Sequence, residues 1–344
     1  MKHKKKRLWF DTLIFVVNSL LAFLLLLSYL LPYIPPKHFP ILSVLSLGVP
    51  VLITINIVFL LYWIFRMKRE LLLSGIVLLL GVQHITAFYR IGKSSDATDK
   101  NSNLRVMSYN VHHFNLFRWI DNKNVPLELS RFVRKQNPDI VCLQEYTKSE
   151  DVNFDTFPYQ FINYIYDNGE IGQAILSKYP IHNSGEIAFD NSLNSVIYTD
   201  IHAPGDTIRV YNVHLQSHRI NANRHILQKE GSEKLLKRIG ASFEKQQYQM
   251  EKLLEHMKTS PYPMLVMGDF NNTAFSYVYA QITKSNLLDA YKEAGRGFGK
   301  TYNFKFFPTR IDFILTDSKF SVNDFTTFPV HLSDHYPVQA DLSW

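Results

Sequence analysis

The sequence contains very little cysteine. Cys142 is the only cysteine among 344 residues, so an intramolecular disulfide is excluded. A structural zinc site made of several thiolates is excluded for the same reason. One cysteine fits a reducing or an oxidising compartment. A chain of this length can bury a core that needs no cross-links.

Long apolar runs dominate the first ninety residues. Three of them, at residues 12–31, 41–65 and 71–89, each have roughly the 20 residues that span a bilayer. No cleavage site of the signal-peptidase type follows the first run, and two further runs come after it, which indicates an anchor rather than a removable signal. A buried helical core is the weaker alternative because the runs lack a polar face. We therefore predict a membrane anchor over residues 1–93 with three transmembrane helices.

The basic residues beside the runs indicate the orientation of the anchor, because Lys and Arg near a span favour the cytoplasmic side. They precede the first run and separate the second from the third, at Lys2, Lys4, Lys5, Lys6, Arg7, Arg66, Lys68 and Arg69. Only Lys37 lies between the first and second runs. With three crossings, we expect an integral protein of the cytoplasmic (inner) membrane whose C-terminal part is extracytoplasmic. Gln83 and His84 interrupt the third run, and if it does not cross, the C-terminal part is cytoplasmic.

Acidic residues are scarce in this N-terminal part and not elsewhere. Residues 1–100 carry 12 basic and 4 acidic side chains, whereas residues 101–344 carry 25 and 26. The isoelectric point of about 9.2 therefore reflects the residues that flank the membrane runs. It is no evidence of nucleic-acid binding, which favours a basic soluble domain.

The C-terminal part lacks sequence repeats and a glycine-rich phosphate loop. It follows a polar stretch, residues 94–103, which shows no apolar periodicity and is predicted to be a linker. The predicted strands are residues 105–109, 140–143, 173–176, 195–201, 208–213, 264–267 and 311–315, and the predicted helices are residues 127–136 and 230–257. This alternation predicts an α/β domain with stacked sheets over residues 104–344.

Polar residues that could carry chemistry follow several of the predicted strands. They are Asn110, Glu145, His214, Asp269, Asn271, Asp312, Asp334 and His335. Side chains at strand ends can converge at one edge of a sheet and form a site there. Taken singly, a carboxylate after a strand is more often a helix cap or a solvated charge, and a lone histidine is more often structural than catalytic.

The order of the short blocks around these residues is more informative. The blocks are SYNV, LQE, GQAILSKYPI, NVHL, GDFN, RIDFI and SDHYPV, spread over residues 104–344. This series resembles the endonuclease/exonuclease/phosphatase family, which includes pancreatic-type DNases, abasic-site endonucleases, neutral sphingomyelinases and inositol polyphosphate phosphatases. The resemblance implies a DNase-like four-layer sandwich of stacked β-sheets flanked by helices. It also implies a metal-dependent hydrolase acting on phosphoester bonds.

Within this resemblance, three residues are assigned to a metal ion. Glu145 is the leading ligand for Mg²⁺ or Mn²⁺, and Asp334 and Asn110 complete the share of the protein. Hard divalent ions prefer oxygen ligands, which these side chains supply. Such an ion helps hydrolysis by neutralising charge on the phosphoester.

The remaining residues are assigned to the reaction itself. Asp269 matches the family position that orients or deprotonates the attacking water, and Asn271 holds the phosphate or that aspartate. His335 is expected to bind the scissile phosphate, with Asp312 holding its other ring nitrogen. His214 is expected to be a second phosphate-binding or acid group.

The block around His214 also bears on the subfamily. NVHL resembles DNases, sphingomyelinases and the phosphatases, whereas abasic-site endonucleases carry a tyrosine in that neighbourhood. An exported location argues against genome repair as well. Glu170 is the candidate acidic partner of His214.

Three functions remain open at this stage: a phosphodiesterase cutting nucleic acid, a phosphoesterase acting on a phospholipid or its head group, and an inactive binding domain. A nuclease would use the basic residues that follow His214, at Arg219, Arg224, Lys229, Lys234, Lys237 and Arg238, which an ordinary solvated helix also explains. A lipid enzyme would use apolar residues at the rim, such as Phe114, Phe117 and Trp119, which core packing also explains. The intact blocks argue against an inactive domain. The bilayer and a phosphoester substrate are the expected partners, and no protein partner is predicted.

Overall fold

The structure of the protein is a computed structural model. It describes residues 2–92, 104–165, 171–218, 231–304 and 307–344. The predicted linker at 94–103, the side chains of the N-terminal basic run, Glu170 and the basic residues Arg219, Arg224 and Lys229 lie outside the part that is described.

The N-terminal part consists of helices. The long ones are α1 (Lys2–Ser28) and α3 (Leu45–Phe65); the shorter ones are α2 (Pro40–Ser43), α4 (Leu71–Leu80) and α5 (Val82–Phe88), with a 3₁₀ turn at Leu31–Tyr33. Two stretches, Trp9–Tyr33 and Pro40–Phe65, are long and apolar enough to cross a membrane. Helices α4 and α5 form a third candidate only if they count as one span, since they meet at a 75° bend. The predicted third span is thus a broken helix.

The break between α4 and α5 lies at Gly81. The Tyr29 hydroxyl donates to the Val77 carbonyl oxygen at 3.0 Å. A Cβ at position 81 would overlap that same hydroxyl, so a larger residue there would require the Tyr29 side chain to shift. Beyond the break, α5 leaves the bundle and lies on the C-terminal domain, where the His84 ring stacks on Phe275. The polar interruption of the third run therefore lies where the chain meets the domain.

Buried polar side chains join the three longest apolar helices. Asn18 on α1 donates to the Ser74 hydroxyl on α4 at 2.7 Å, and Ser74 donates to Asn56 on α3 at 3.2 Å. The Trp63 indole donates to the side-chain Oδ1 of Asn18 at 2.8 Å. Polar groups surrounded by hydrocarbon find partners on neighbouring helices, so this network fixes the helices as a bundle.

Two stacked six-stranded sheets form the C-terminal domain. The first has the order β11-β12-β1-β2-β4-β3 and the second the order β5-β6-β7-β8-β10-β9. In chain order the strands are Leu104–Asn110, Ile140–Thr147, Tyr159–Tyr164, Ile171–Ser177, Ile181–Ala188, Ser195–Ala203, Asp206–His214, Met264–Asp269, Leu287–Asp289, Asp312–Asp317, Ser321–Thr327 and Val338–Ser343. Every predicted strand lies on one of them, although the strand predicted from residue 311 begins at Asp312.

Apolar side chains fill the space between the sheets and cover their outer faces. Val106 and Cys142 of the first sheet pack with Val210 and Leu265 of the second. Helix α6 (Val125–Gln136) covers the outer face of the first sheet. Helices α7 (Ser232–Met257) and α8 (Tyr277–Thr283) cover the second, and α9 (Ala290–Ala294) closes one side. The layers are helix, sheet, sheet and helix, which confirms the predicted fold class.

The N-terminal helices are docked on this domain. The Lys37 amide donates to Gln247 on α7 at 3.0 Å, and Pro40 of α2 lies against Gly240, where a Cβ would come within 3.1 Å. Arg90 pairs with Gly297 through two backbone hydrogen bonds of 2.9 Å. Phe275 of the domain belongs to the apolar core of the helices.

We predict that residues 101–344 fold on their own, because the core between the sheets and both outer clusters are made of residues from this part alone. Expressed without the helices, this segment should be monomeric by light scattering and unfold cooperatively by circular dichroism. Removing the helices exposes Phe275, so the variant Phe275→Ser should aggregate less than the parent segment. Aggregation of both under every buffer would contradict the boundary.

Candidate active site

The carboxyl ends of strands from both sheets converge at one edge of the domain. Strands β1 and β2 are parallel, with Asn110 opposite Gln144, and β7 and β8 are parallel, with His214 opposite Asp269. Strand β10 runs antiparallel to β8 and places Asp312 opposite Asp269. Polar residues that end β1, β7 and β8, and Asp312, which begins the antiparallel β10, therefore meet at the same edge, as the sequence predicted.

Glu145 lies at a β-bulge, where the register between β2 and β4 shifts between Leu143 and Tyr146. Its φ angle of 51° is left-handed, a conformation that is strained for a residue with a Cβ. Such strain is typically found at functional sites. The carboxylate is aimed into the cleft, and Asn110 Nδ2 donates to its Oε1 at 3.2 Å.

Asp334 reaches the same place from the loop between β11 and β12. The Ser333 hydroxyl donates to the Asn110 carbonyl oxygen at 2.8 Å and fixes this loop to the end of β1. The Asp334 Oδ1 atom lies 2.6 Å from His112 Nδ1. Glu145 and Asp334 therefore line the same cleft, as predicted for metal ligands. Asn110 lies beside Glu145, but its Nδ2 faces that carboxylate and its Oδ1 accepts from the His112 amide at 3.1 Å, so the structure does not present its oxygen as the third ligand.

The electrostatics keep both half-buried carboxylates, Glu145 and Asp334, charged. Burial raises the pKa of Glu145, but the imidazoles of His214 and His112, followed by others, outweigh it and hold this pKa below its ordinary value. Burial likewise raises the pKa of Asp334, and the hydrogen bond from His112 outweighs it and lowers this pKa. The two groups are anionic near neutral pH.

Asp269 is buried at the end of β8 and held by three donors. Its Oδ1 accepts from the Asn271 amide at 2.8 Å, and its Oδ2 accepts from Asn110 Nδ2 at 3.0 Å and from Asn271 Nδ2 at 3.1 Å. Gly268 precedes it with a φ of 144°, and a Cβ there would overlap the backbone of Val213 on β7. Burial raises the pKa of Asp269, which makes the carboxylate a better proton acceptor.

His335 lies between two carboxylates. Its Nδ1 is 2.9 Å from Asp312 Oδ2, and its Nε2 is 3.6 Å from Asp269 Oδ2. Burial lowers the pKa of His335, but the charges of Asp312 and Asp269 outweigh it and raise this pKa well above its ordinary value. The ring is therefore an imidazolium at neutral pH. The Tyr302 ring packs against it, with 4.9 Å between centroids.

Asp269, Asp312 and His335 also offer possible metal-ligating atoms within 4.8 Å of one another. All three are buried, however, and His335 Nδ1 is already hydrogen-bonded to Asp312. Glu145 and Asp334 keep about a quarter of their side-chain surface open. The accessible pair is the better cation site, and the buried group is better suited to proton transfer and phosphate binding.

His214 lies between the two groups. Its Nε2 is 3.6 Å from Glu145 Oε1 and 4.0 Å from Asp269 Oδ2. Burial lowers the pKa of His214, so the ring is neutral at neutral pH. Glu145 and Asp269 are its acidic neighbours among the described residues.

Two histidines of this site were not predicted from the sequence. His112 and His113 begin a run of four left-handed residues that ends at Asn115, with φ angles of 43° to 64°. His112 contacts Asp334, and His113 Nε2 lies 3.4 Å from Glu145 Oε2. Their position directly after SYNV was the available signal.

The aromatic residues proposed for a lipid-facing rim have different positions. Phe114 is buried in the core, which agrees with the alternative that this aromatic residue serves core packing. Trp119 stacks on His112 with 5.3 Å between centroids. Phe117 is exposed and touches His113 edge-on.

These groups open into a cleft of about 350 Å³. Its polar wall contains Glu145, Asp269 and His335, and its apolar wall contains Leu47, Phe304 and Ile311. Leu47, which belongs to α3, could not be placed here from sequence. Among the residues that the structure describes, no lysine or arginine lines the cleft.

Comparison with known families agrees with this geometry. Residues 107–335 match the model of the Endonuclease/Exonuclease/phosphatase family. The chain belongs to this family. Residues 11–88 match a second model, described as a domain of unknown function (DUF8431).

Several relatives resemble the C-terminal domain of this family member. The protein YbhP of Escherichia coli (strain K12) is 27% identical over 271 residues, which cover 69% of this chain and 95% of YbhP. A solved endonuclease/exonuclease/phosphatase from Beutenbergia cavernae has a TM-score of 0.53 at 19% identity, covering 70% of this chain and 71% of that one. A mannosyl-6-phosphatase from Bacteroides thetaiotaomicron has a TM-score of 0.50 at 20% identity, covering 70% and 100%. These structures share the fold.

We predict that Asp312 and His335 act as one unit, because a carboxylate that orients an imidazole contributes little once the imidazole is gone. His335→Ala should lower the hydrolysis rate of a simple phosphodiester by roughly 10² to 10⁴, and Asp312→Ala by a comparable factor. The double variant should be scarcely slower than His335→Ala. Multiplying losses would show that the two residues work independently.

Asp200→Ala is the matched control for this experiment. Asp200 accepts two hydrogen bonds from Arg209 in the same sheet, at 2.6 and 2.7 Å, away from the site. Its loss should lower the melting temperature and leave the rate unchanged.

Proposed function

We propose that this protein is a membrane-anchored, divalent-metal-dependent phosphoesterase that hydrolyses a phosphodiester. The observation that carries the proposal is the pair of anionic carboxylates, Glu145 and Asp334, beside a buried acid–base group. In the described part of the cleft no lysine or arginine balances them. A divalent cation and a phosphoryl group together complete this arrangement of charges.

The residues at the polar wall fit Mg²⁺ or Mn²⁺. Glu145 and Asp334 supply carboxylate oxygens, the ligand type that hard cations prefer. Asn110 presents its Nδ2 to Glu145 and its Oδ1 accepts from the His112 amide at 3.1 Å, so it positions the Glu145 carboxylate rather than offering an oxygen beside it. Such an ion, when bound, neutralises the non-bridging oxygens of the phosphoryl group.

The chain's own residues divide the remaining work. Asn110 and Asn271 hold the Asp269 carboxylate by three hydrogen bonds, in position to orient a water molecule and accept its proton. Asp312 holds Nδ1–H of His335, which leaves Nε2–H to donate to a phosphoryl oxygen. His214 lies near both carboxylate groups and adds a further donor to the phosphoryl group.

Nucleic-acid cleavage is the less supported form of this function. Lysine and arginine contacts to phosphates dominate nucleic-acid affinity, and none lines the described cleft. Of the basic residues after His214 that are described, Lys237 pairs with Glu233 at 2.6 Å, and Arg238 donates to the His218 carbonyl oxygen at 2.6 Å. These contacts match a solvated helix better than a nucleic-acid groove.

The geometry of the bundle supports an extracytoplasmic domain. Arg66 at the end of α3 donates to Asp11 near the start of α1 at 2.7 Å, so these ends lie together. The beginning of α3 lies on the domain, where Thr273 donates to the Ser46 carbonyl oxygen at 3.3 Å. Arg66 and its basic neighbours are therefore at the opposite end of the bundle from the domain. The preference of basic residues for the cytoplasm places that end inside.

We predict from this topology that a reporter enzyme active only after export is active when fused after Trp344. The same reporter fused after Lys68, at the basic end, should be inactive. A fluorescent reporter that matures only in the cytoplasm should give the opposite pattern. The reverse result at Trp344 would mean that the broken third run does not cross.

We predict that activity disappears in excess chelator and returns with Mg²⁺ or Mn²⁺. Glu145→Gln, which removes one anionic ligand, should weaken Mn²⁺ binding in a titration followed by electron paramagnetic resonance. Asp139→Asn is the control. Asp139 lies just before the start of β2, at the end of this strand away from Glu145, and it pairs with Lys178. Full turnover in chelator would refute the metal requirement.

A further inference from the structure

The cleft is walled in part by the N-terminal helices. Leu47 on α3 lines it together with Glu145 and His335 of the catalytic domain. Thr273, two residues after Asn271, donates to the carbonyl oxygen of Ser46, the neighbour of Leu47. This hydrogen bond fixes the start of α3 against the cleft. A membrane helix therefore contributes directly to the wall of the site.

An apolar surface continues from the cleft along α3. A second cavity of about 80 Å³ shares Leu47 and Phe304 with the cleft and is lined further by Val51, Phe88 and Phe298. Val51 and Phe298 are 40% and 45% exposed, so the apolar surface reaches the outside of the protein. A ligand in the cleft can thus extend an apolar tail alongside the helix.

Arg310 is the one arginine among the described residues that line the second cavity, and it leaves this cavity apolar. Arg310 donates to both carboxylate oxygens of Asp289, at 3.1 and 2.9 Å, and packs over the rings of Tyr291 and Phe313. The positive charge of Arg310 is therefore balanced by Asp289 inside the domain. A second anionic group of the ligand is therefore not favoured here, whereas hydrocarbon is.

The position of Leu47 along α3 also matters. It is two residues from Leu45, where this apolar helix begins at the domain surface. Helix ends of a membrane span lie at the level of the lipid head groups, about 15 Å from the bilayer centre. The polar wall is then next to lipid phosphates, and the apolar wall is next to their hydrocarbon chains.

From this placement we propose, on the basis of the function proposed above, that the substrate is a phosphodiester lipid of the bilayer. Its phosphate lies between Glu145, Asp334 and His335, and one hydrocarbon chain passes Leu47 and Phe304 toward the second cavity. Water adds its oxygen to phosphorus as one P–O bond breaks. The released alcohol takes a proton, and a phosphomonoester remains.

The test compares two substrates with the full-length protein in nanodiscs. One is a water-soluble phosphodiester without a hydrocarbon chain, bis(4-nitrophenyl) phosphate, and the other is a long-chain phosphatidylglycerol in the nanodisc. The lipid should have the higher kcat/KM. Leu47→Asn should lower kcat/KM for the lipid about tenfold, the loss expected from one or two buried methylene groups. It should lower kcat/KM for the soluble diester by a clearly smaller factor, because that substrate has no chain to pass Leu47. Leu61→Asn, an exposed position farther along α3, should change neither.

A second readout does not depend on turnover. A phospholipid with a photoreactive group in its acyl chain should label the segments around Leu47 and Phe304 in the Asp269→Asn variant. Excess unlabelled phospholipid should prevent this labelling, and a short-chain soluble analogue should not.

The outcomes separate the two proposals. Hydrolysis of the soluble diester with equal losses for both substrates in Leu47→Asn would overturn the lipid assignment and leave the phosphoesterase. Faster cleavage of single-stranded DNA than of lipid would overturn it as well. Photolabelling without hydrolysis of either substrate would leave a lipid-binding site and refute the phosphoesterase. Absence of both would refute both.

Discussion

The site depends on one buried contact between the two sheets. Gln144 Nε2 of β2 donates to the side-chain Oδ1 of Asn212 on β7 at 2.6 Å, and Asn212 Nδ2 donates to the backbone carbonyl oxygens of Leu143 and Ala174 at 2.9 and 3.0 Å. Buried amides need such partners, so the contact fixes how one sheet lies on the other at this edge. Glu145 follows Gln144 directly, and His214 lies two residues after Asn212. The contact between the two amides therefore fixes the distance between the Glu145 carboxylate and the His214 imidazole.

Charge at this edge is balanced in part by histidine: the pKa values of His112 and His335 are raised by neighbouring carboxylates, whereas burial lowers those of His113 and His214. The carboxylates Glu145, Asp269, Asp312 and Asp334 alternate with the imidazoles His112, His113, His214 and His335. Burial and neighbours give these chemically similar groups different protonation states, which is how one site supplies a proton acceptor, a cationic donor and anionic ligands. Histidine is suited to this balance because its charge depends on its surroundings. A lysine or arginine would be a permanent cation beside the carboxylates.

Local patterns in the sequence account for most of the site and of the central strands. Glu145 and Asp269 could be placed because each follows a buried apolar strand, and parallel strand ends converge. The strands that were not predicted include β5 (Ile181–Ala188) and β11 (Ser321–Thr327), whose mostly exposed or half-buried residues give no apolar run. The contact of His112 with Asp334 joins residues 222 positions apart, and no local pattern encodes it. The close approach of Tyr29 to Gly81 likewise joins residues far apart in the sequence.

Because the helices are docked on the domain, the predicted linker does not determine the distance between them. A flexible linker sets the reach of a domain only when its ends belong to separate bodies. Here Arg90 is already paired with Gly297 of the domain, and Leu104 begins β1 of the same domain. The segment between them therefore connects two points on one body, and its length does not set how far the cleft can move from the N-terminal helices. The contacts at Lys37, Ser46 and Arg90 do so instead, and they hold the cleft against α3. A substrate must then approach along that helix or from the solvent side of a fixed opening. If α3 spans a bilayer as proposed, this gives lipids a high effective concentration at the site.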